Sequence, residues 1–125
     1  MTPITYPKNA NIPTSHLPFS PCVQAGNLIF VSGQASVDDS GKIVKDTFEG
    51  EFRRSIANLQ RILEAAGSDL SRVVQTRCYV DEASDLPEFN RLYAEAFPAP
   101  YPARTTITNC FGGMLKFEID CIAVS

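Results

Sequence analysis

Apolar positions along the chain fall into two periods, and these divide it into strands and helices. Cys22–Ala25 and Leu28–Ser32 are strand-like runs joined at Gly26-Asn27, a pair suited to a two-residue hairpin turn. The second run is apolar at consecutive positions, so both of its faces are expected to be covered. Val73–Val80 reads as a further strand, set off by Ser71 and Asp81. Pro102–Thr108 alternates as another, and Leu115–Val124 as the last. Between the strands the period lengthens. Phe48, Phe52, Ile56, Leu59, Leu63 and Ala66 recur at three and four residues, which predicts a helix from Thr47 or Phe48 to Ala66. Asp46 with Glu49 three residues on resembles a capping box, and Gly67 is the stop. Glu51, Arg53, Arg54, Asn58 and Arg61 make up its outer face, read as solvated. A second helix opens at Asp85-Leu86-Pro87-Glu88, with Asp85 as cap and Glu88 closing the box. Leu86, Phe89, Tyr93 and Phe97 line one side of it, and Pro98 and Pro100 end it. The stretch up to Pro21 holds five prolines and reads as irregular.

The order β-β-α-β-α-β-β predicts an α+β fold: one mixed sheet with two helices on one face, in a single domain spanning residues 1–125. In the last strand Leu115, Phe117, Ile119, Cys121 and Ala123 form the helix-facing set, so Lys116, Glu118 and Asp120 look the other way. Arg104 groups with Thr106 and Thr108, opposite Thr105 and Ile107. Arg104 and Glu118 are both expected on the helix-free face. Leu28–Ser32 adds apolar residues to that face, and the cheapest cover for it is another copy of the chain.

Composition narrows the chemistry. The chain has 125 residues, 44% of them hydrophobic, which suits one modest core. No apolar run approaches the roughly 18 residues of a membrane helix, and the first residues lack a signal peptide's pattern, so the expected location is the cytoplasm. A net charge of -3 without a basic block argues against nucleic acid as partner. The four cysteines have no metal-ligand spacing and read as buried free thiols. His16 is the only histidine, which argues against a zinc site, a Ser-His-Asp triad or a Cys-His dyad. What remains for any chemistry is Arg, Glu, hydroxyls and backbone.

Several segments together resemble the Rid family, the reactive intermediate deaminases also called YjgF-like. The likeness rests on Pro18-Phe19-Ser20, Gly26–Gln34, Asn58-Leu59, Leu63–Gly67, Phe89–Tyr93, Pro102–Thr105 and Phe117–Val124. It implies a chorismate-mutase-like fold assembled as a homotrimer, with sites between subunits. The family's carboxylate-binding arginine matches Arg104, and its water-positioning glutamate matches Glu118. Its helix asparagine matches Asn90, and its Ser-Gly pair matches Ser32-Gly33. The chain departs from the family at Phe19, where tyrosine is common, and at Thr106, where cysteine is common. His16-Leu17 and the loop Phe111–Met114 also differ from the usual pattern.

The activity implied is hydrolysis of 2-imino and enamino acids of the 2-aminoacrylate type to 2-keto acids and ammonia, a reaction that needs neither metal nor organic cofactor. Arg104 would grip the substrate carboxylate with its planar fork, and Glu118 would order the attacking water. Gly33, Ser32, Asn90, Phe19 and Thr106 would line the site. The alternatives are a deaminase of a larger imine or enamine acid (an aminomuconate or a pyrimidine-breakdown intermediate), a non-catalytic metabolite-binding or chaperone-like module, and an endoribonuclease. Taken without the resemblance, Glu118 reads as an ion-pair partner of Lys116 or Arg104, Asn90 as an exposed helix residue, and Ser32 as a hydroxyl bonding to backbone.

Overall fold

The computed structural model describes residues 1–125. In chain order the elements are β1 (Ile4–Thr5), β2 (Cys22–Ala25), β3 (Leu28–Ala35), α1 (Phe48–Ala65), β4 (Val73–Val80), α2 (Leu86–Ala96), β5 (Ala103–Thr108) and β6 (Phe117–Val124). Short 3-10 turns at Leu70–Arg72 and Ala83–Asp85 lead into β4 and α2. All six strands form one sheet in the order β1-β2-β3-β6-β4-β5. β4 and β5 run parallel, while every other pair is antiparallel. Because β6 is antiparallel to both β3 and β4, those two run the same way. β3-α1-β4 and β4-α2-β5 are therefore two crossovers that step in one direction across the sheet. Such crossovers are right-handed almost without exception, which puts α1 and α2 on the same face.

The core lies between that face and the two helices. It joins 21 buried residues, with Phe52, Phe89 and Phe117 at its centre; the Phe52 and Phe117 rings lie 4.8 Å apart. Strand β6 alternates as its sequence dictates: Phe117, Ile119, Cys121 and Ala123 are buried, and Glu118 and Asp120 emerge on the other side. On this helix-free face Leu28, Phe30 and Ile107 are exposed at 37%, 40% and 39%. The cover that the apolar character of β3 calls for is not supplied by this chain.

The chain differs from its sequence reading at several places. The proline-rich start contains β1, two residues paired with the edge of β2, too short to show any alternation. The N-cap of α1 is Thr47, whose Oγ1 accepts a hydrogen bond from Gly50 N at 3.1 Å, rather than Asp46. Glu49 closes no box and instead pairs with Arg53. Asp85 caps nothing with its side chain, because the 3-10 turn before it has already brought its backbone to a helical conformation. Of the thiols, Cys22, Cys78 and Cys121 are buried, but Cys110 is exposed. Strand β3 continues past Ser32 to Ala35 through a bulge between Val31 and Gln34.

Two residues assigned to the solvated face of α1 lie inside. Asn58 donates to the carbonyls of Ala35 and Val37, and so ties the helix to the end of β3. Glu51 is only 1% exposed. Its carboxylate accepts from Lys116 N at 3.0 Å, from Asp46 N at 3.2 Å and from Lys116 Nζ at 3.3 Å. It thereby fixes both the entry to α1 and the entry to β6. Glu51→Ala strands two inward backbone N–H groups, and the expected loss in urea unfolding is about 2–4 kcal/mol. Arg53→Ala, which removes two exposed ion pairs, with Glu49 and with Glu95, should cost no more than about 1 kcal/mol in the same measurement.

Candidate active site

Glu118 sits on the helix-free face of β6, with Ala35 of β3 on one side and Tyr79 of β4 on the other. The β3 bulge brings Gly33 directly against it. A Cβ added at Gly33 would lie 2.9 Å from Cδ of Glu118, so only glycine lets the carboxylate rest there. Glu118 makes no hydrogen bond or ion pair within the chain; Lys116, two residues before it, turns away to Glu51 and to the Asp46 carbonyl. Burial raises the Glu118 carboxyl above its ordinary 4.5, and the neighbouring Asp120 charge adds to that. Asp120 in turn accepts from Arg77 Nε and from the Tyr79 hydroxyl, both at 2.9 Å.

These residues line an open cleft of about 490 Å³, with Phe19, Phe30, Ser32 and Gly33 on its walls. Ser32 Oγ donates to the Ser20 carbonyl at 2.6 Å, which pins the segment carrying Phe19 beside the bulge. A second groove, of about 470 Å³, reaches Glu118 and Gly33 from the other side of Phe19, under the segment that carries His16 and past Asn58 and Arg61. Glu118 therefore opens onto two clefts.

Arg104 is elsewhere. In β5 it lies in register with Thr76 of β4, and Thr76 is paired with Cys121 of β6, a helix-side residue. Arg104 thus projects to the helix-covered face, not to the face of Glu118. The alternation within each strand was correctly read, but the phase of β5 was not. Arg104-Thr105-Thr106-Ile107-Thr108 has no strongly apolar side to declare which way it faces, whereas β6 does. The guanidinium carbon lies 4.8 Å from the ring centre of Phe89 and 4.9 Å from that of Tyr93, both on α2. Beside it is a cleft of about 340 Å³ lined by Asn90, Tyr93, Tyr101, Pro102 and Arg104. Asn90 is exposed at this mouth. Thr106 follows on the same side of β5, half-buried next to Cys78.

The predicted residues thus form two groups: Glu118, Gly33, Ser32 and Phe19 on one face, Arg104 and Asn90 at the edge of the other. Neither charge has an opposite charge beside it. Sequence reasoning passed over Asp120 with its Arg77 and Tyr79 donors, although the i, i+2 spacing from Glu118 placed it on the same face. It also passed over Tyr101, next to the Pro102–Thr105 motif. Burial pushes the Cys78 and Cys121 thiols up to about 12, so both stay protonated and inert. No group of three His, Cys, Asp or Glu side chains is placed to hold a metal ion, and no helix is long and apolar enough to cross a membrane.

Comparison with known proteins gives this geometry its relatives. The sequence model of the family described as Endoribonuclease L-PSP matches residues 9–125. Reactive Intermediate Deaminase A of Arabidopsis thaliana, a chloroplastic protein, is 37% identical over 108 residues, covering 85% of this chain and 58% of that longer one. The 2-iminobutanoate/2-iminopropanoate deaminase of Dermatophagoides farinae is 31% identical over 91 residues, covering 72% of this chain and 71% of its own. Among solved structures, that of the yeast protein YEO7 superposes with a TM-score of 0.89 at 28% identity, over 98% of this chain and 99% of that one. The mixed six-stranded sheet, the positions of the motifs and these relatives agree: the chain belongs to the Endoribonuclease L-PSP family, the Rid proteins, among which are named deaminases of reactive intermediates.

Proposed function

We propose that the protein hydrolyses 2-imino acids and their enamine tautomers, of the 2-aminoacrylate type, to 2-keto acids and ammonia, in sites completed between the subunits of a homotrimer. The observation that carries this reading is the pair of separated, un-neutralised charges, Arg104 and Glu118, each at the mouth of its own cleft on opposite faces of one sheet. A carboxylate ligand needs the first, and a hydrolytic water needs the second. Within one chain they cannot meet, and a neighbouring copy seated on the bare face around Leu28, Phe30 and Ile107 would bring them together. The names of the deaminase relatives support the same reaction class.

In this reading Arg104 holds the substrate carboxylate bidentately, with Asn90 beside it. Water on the Glu118 side attacks the imine carbon. Glu118 takes a proton from that water and passes it to the imine nitrogen, giving a carbinolamine. The remaining hydroxyl proton then moves to the same nitrogen as the carbon–nitrogen bond breaks, which releases ammonia and leaves the 2-keto acid. The carboxyl's raised affinity for protons makes it a better base than an ordinary glutamate. Gly33 lets the carboxylate and the ligand approach the β3 backbone, Ser32 fixes the segment that bears Phe19, and Phe19 and Thr106 shape the walls. No cofactor is required, because the imine is already electrophilic. The proposed setting is a reducing compartment such as the cytosol, in keeping with free Cys22, Cys78 and Cys121. For the endoribonuclease reading the cleft is poorly suited: Glu118 and Asp120 would repel a polyanion.

Imines generated from a panel of amino acids by an amino-acid oxidase test the activity directly. Arg104→Lys should lower kcat/KM about 10²-fold or more, since a point charge cannot reproduce the fork. Wild-type turnover by that variant removes Arg104 from the clamp. Glu118→Gln should still bind 2-oxobutanoate in calorimetry while kcat falls about 10²-fold. Arg104→Ala and Glu118→Gln chains, each inactive alone, should regain activity when unfolded and refolded together, approaching about a quarter of the wild-type sites. Failure to complement, with mixed assemblies demonstrated by native mass spectrometry, rules out a shared site.

The pH profile gives a separate check. The charged and titratable groups around Glu118 are Asp120 on its own strand, Arg77 and Tyr79 on β4, Cys110 in the loop after β5, and His16, Asp38, Asp39 and Arg61 along the second groove. Protonation of Glu118 should set the acid limb of kcat/KM, above the ordinary carboxylate range. Asp120→Asn removes a negative neighbour, so that limb should move to lower pH. An unmoved limb means that another group controls it.

A further inference from the structure

Arg104 presents an unusual arrangement for a half-site cation. It makes no ion pair within the chain, although Arg53, Arg54, Arg61, Arg77 and Arg91 all do. Two aromatic rings stand where an acid would be expected. Its guanidinium carbon is 4.8 Å from the Phe89 centroid and 4.9 Å from that of Tyr93. The two rings meet edge to face, 5.7 Å apart at 63°, and form a corner. Neither can drift, since Phe89 is 0% exposed and Tyr93 4%. Phe97 packs on Tyr93 with centroids 4.6 Å apart. The Tyr93 hydroxyl is hydrogen-bonded to Thr76 Oγ1 at 2.8 Å. Thr76 is the residue of β4 directly beside Arg104 in the sheet. The strand position that carries the arginine is thus adjacent to the one that pins its aromatic support.

We propose that Phe89 and Tyr93, locked by Thr76, form an aromatic seat that positions the Arg104 guanidinium in place of an acidic partner. Its role in ligand binding rests on the carboxylate-clamp reading given above. The physical logic lies in which part of the guanidinium each contact uses. A ring attracts the cation through its flat face, whereas the N–H donors lie in the guanidinium plane and point outward from its edge. The rings stand 63° apart, so the guanidinium plane can lie flat on at most one of them. Neither ring competes as a charged acceptor, however, and none of the Arg104 N–H donors is hydrogen-bonded within the chain, which leaves donors for a ligand. An Asp or Glu would occupy those donors and cancel the charge, and an incoming carboxylate would first have to break that pair. The seat orients the cation without neutralising it. Tyr93 and Phe89 are positioning residues in this scheme, not catalytic ones.

The test uses the 125-residue chain with Tyr93→Leu and Tyr93→Phe. NMR reads the Arg104 side-chain protons, and calorimetry reads 2-oxobutanoate affinity. The Arg104 signals should lie upfield in the wild type through ring currents, and Tyr93→Leu should return them toward ordinary values. Tyr93→Leu should weaken 2-oxobutanoate about tenfold, while Tyr93→Phe, which keeps the ring, should stay within about threefold. In an Arg104→Ala background, Tyr93→Leu should cause no additional loss, because the two effects run through one group. The seat is overturned by ordinary Arg104 shifts in the wild type, by unchanged affinity in Tyr93→Leu, or by an equal loss in both backgrounds. If Tyr93→Leu does not fold, Tyr93→Met, which fills the space without a ring, takes its place with the same expected loss of about tenfold. A wild type that shows the Tyr93-dependent shift but binds no 2-oxobutanoate keeps the seat and defeats the deaminase reading.

Discussion

Both crossovers step the same way across the sheet, and α1 and α2 consequently share one face of it. That sidedness governs the rest of the molecule. Phe52, Phe89, Phe117 and the aliphatic residues around them can build a dry core on one side only, and every odd-numbered position of β6 is committed to it. The even-numbered positions are then free of packing duty. Glu118 and Asp120 occupy two of them. A carboxylate that would be intolerable among the phenylalanines is held a few ångströms away, half-buried on the reverse of the same strand.

The free energy invested in placing Glu118 and Arg104 is unfavourable if each charge is considered alone. Glu118 is partly withdrawn from water with no donor to satisfy it, and the close approach of Gly33 removes still more solvent from around it. Arg104 is attracted only by the faces of two rings. Compare Glu51, the most deeply buried acid, which is supplied with two backbone N–H groups and a lysine. The fold is therefore able to satisfy a buried carboxylate fully, and does so where the role is structural. Where a charge has been left unsatisfied, the proposed ligand chemistry gives the reason.

Much of this was legible in the sequence, and the failures share a cause. Val73–Val80 was delimited correctly by its flanking Ser71 and Asp81, and the two faces of β6 were assigned residue by residue because that strand has an unmistakable apolar side. β5 has none, so the face taken by Arg104 depends on the register of β5 against β4, a long-range fact that alternation does not carry. Glu51 and Asn58 were misplaced for a related reason. On a helical wheel they look like surface residues, yet the loops and strand end they bind are distant in sequence and come to them only in the folded chain. The cap was read as Asp46 and falls one residue later on Thr47, whose extended backbone stands immediately before the first helical turn. The resemblance supplied the identities of Arg104 and Glu118, but not the sheet that separates them.

The position of β6 has a temporal side. It follows all the other strands in chain order and yet lies at the middle of the sheet, where it is the only link between β3 and β4. During synthesis, β1-β2-β3 and β4-β5 can each pair locally, but until Phe117–Val124 has emerged they face each other across an empty strand position, each with an unpaired edge. Closing that position brings together residues far apart in the chain, such as Leu28 and Val124, so ordering must wait for long-range contacts. Once β4 and β5 have paired, the free edges of β3 and β4 flank the vacant position, and a single late strand removes both at once.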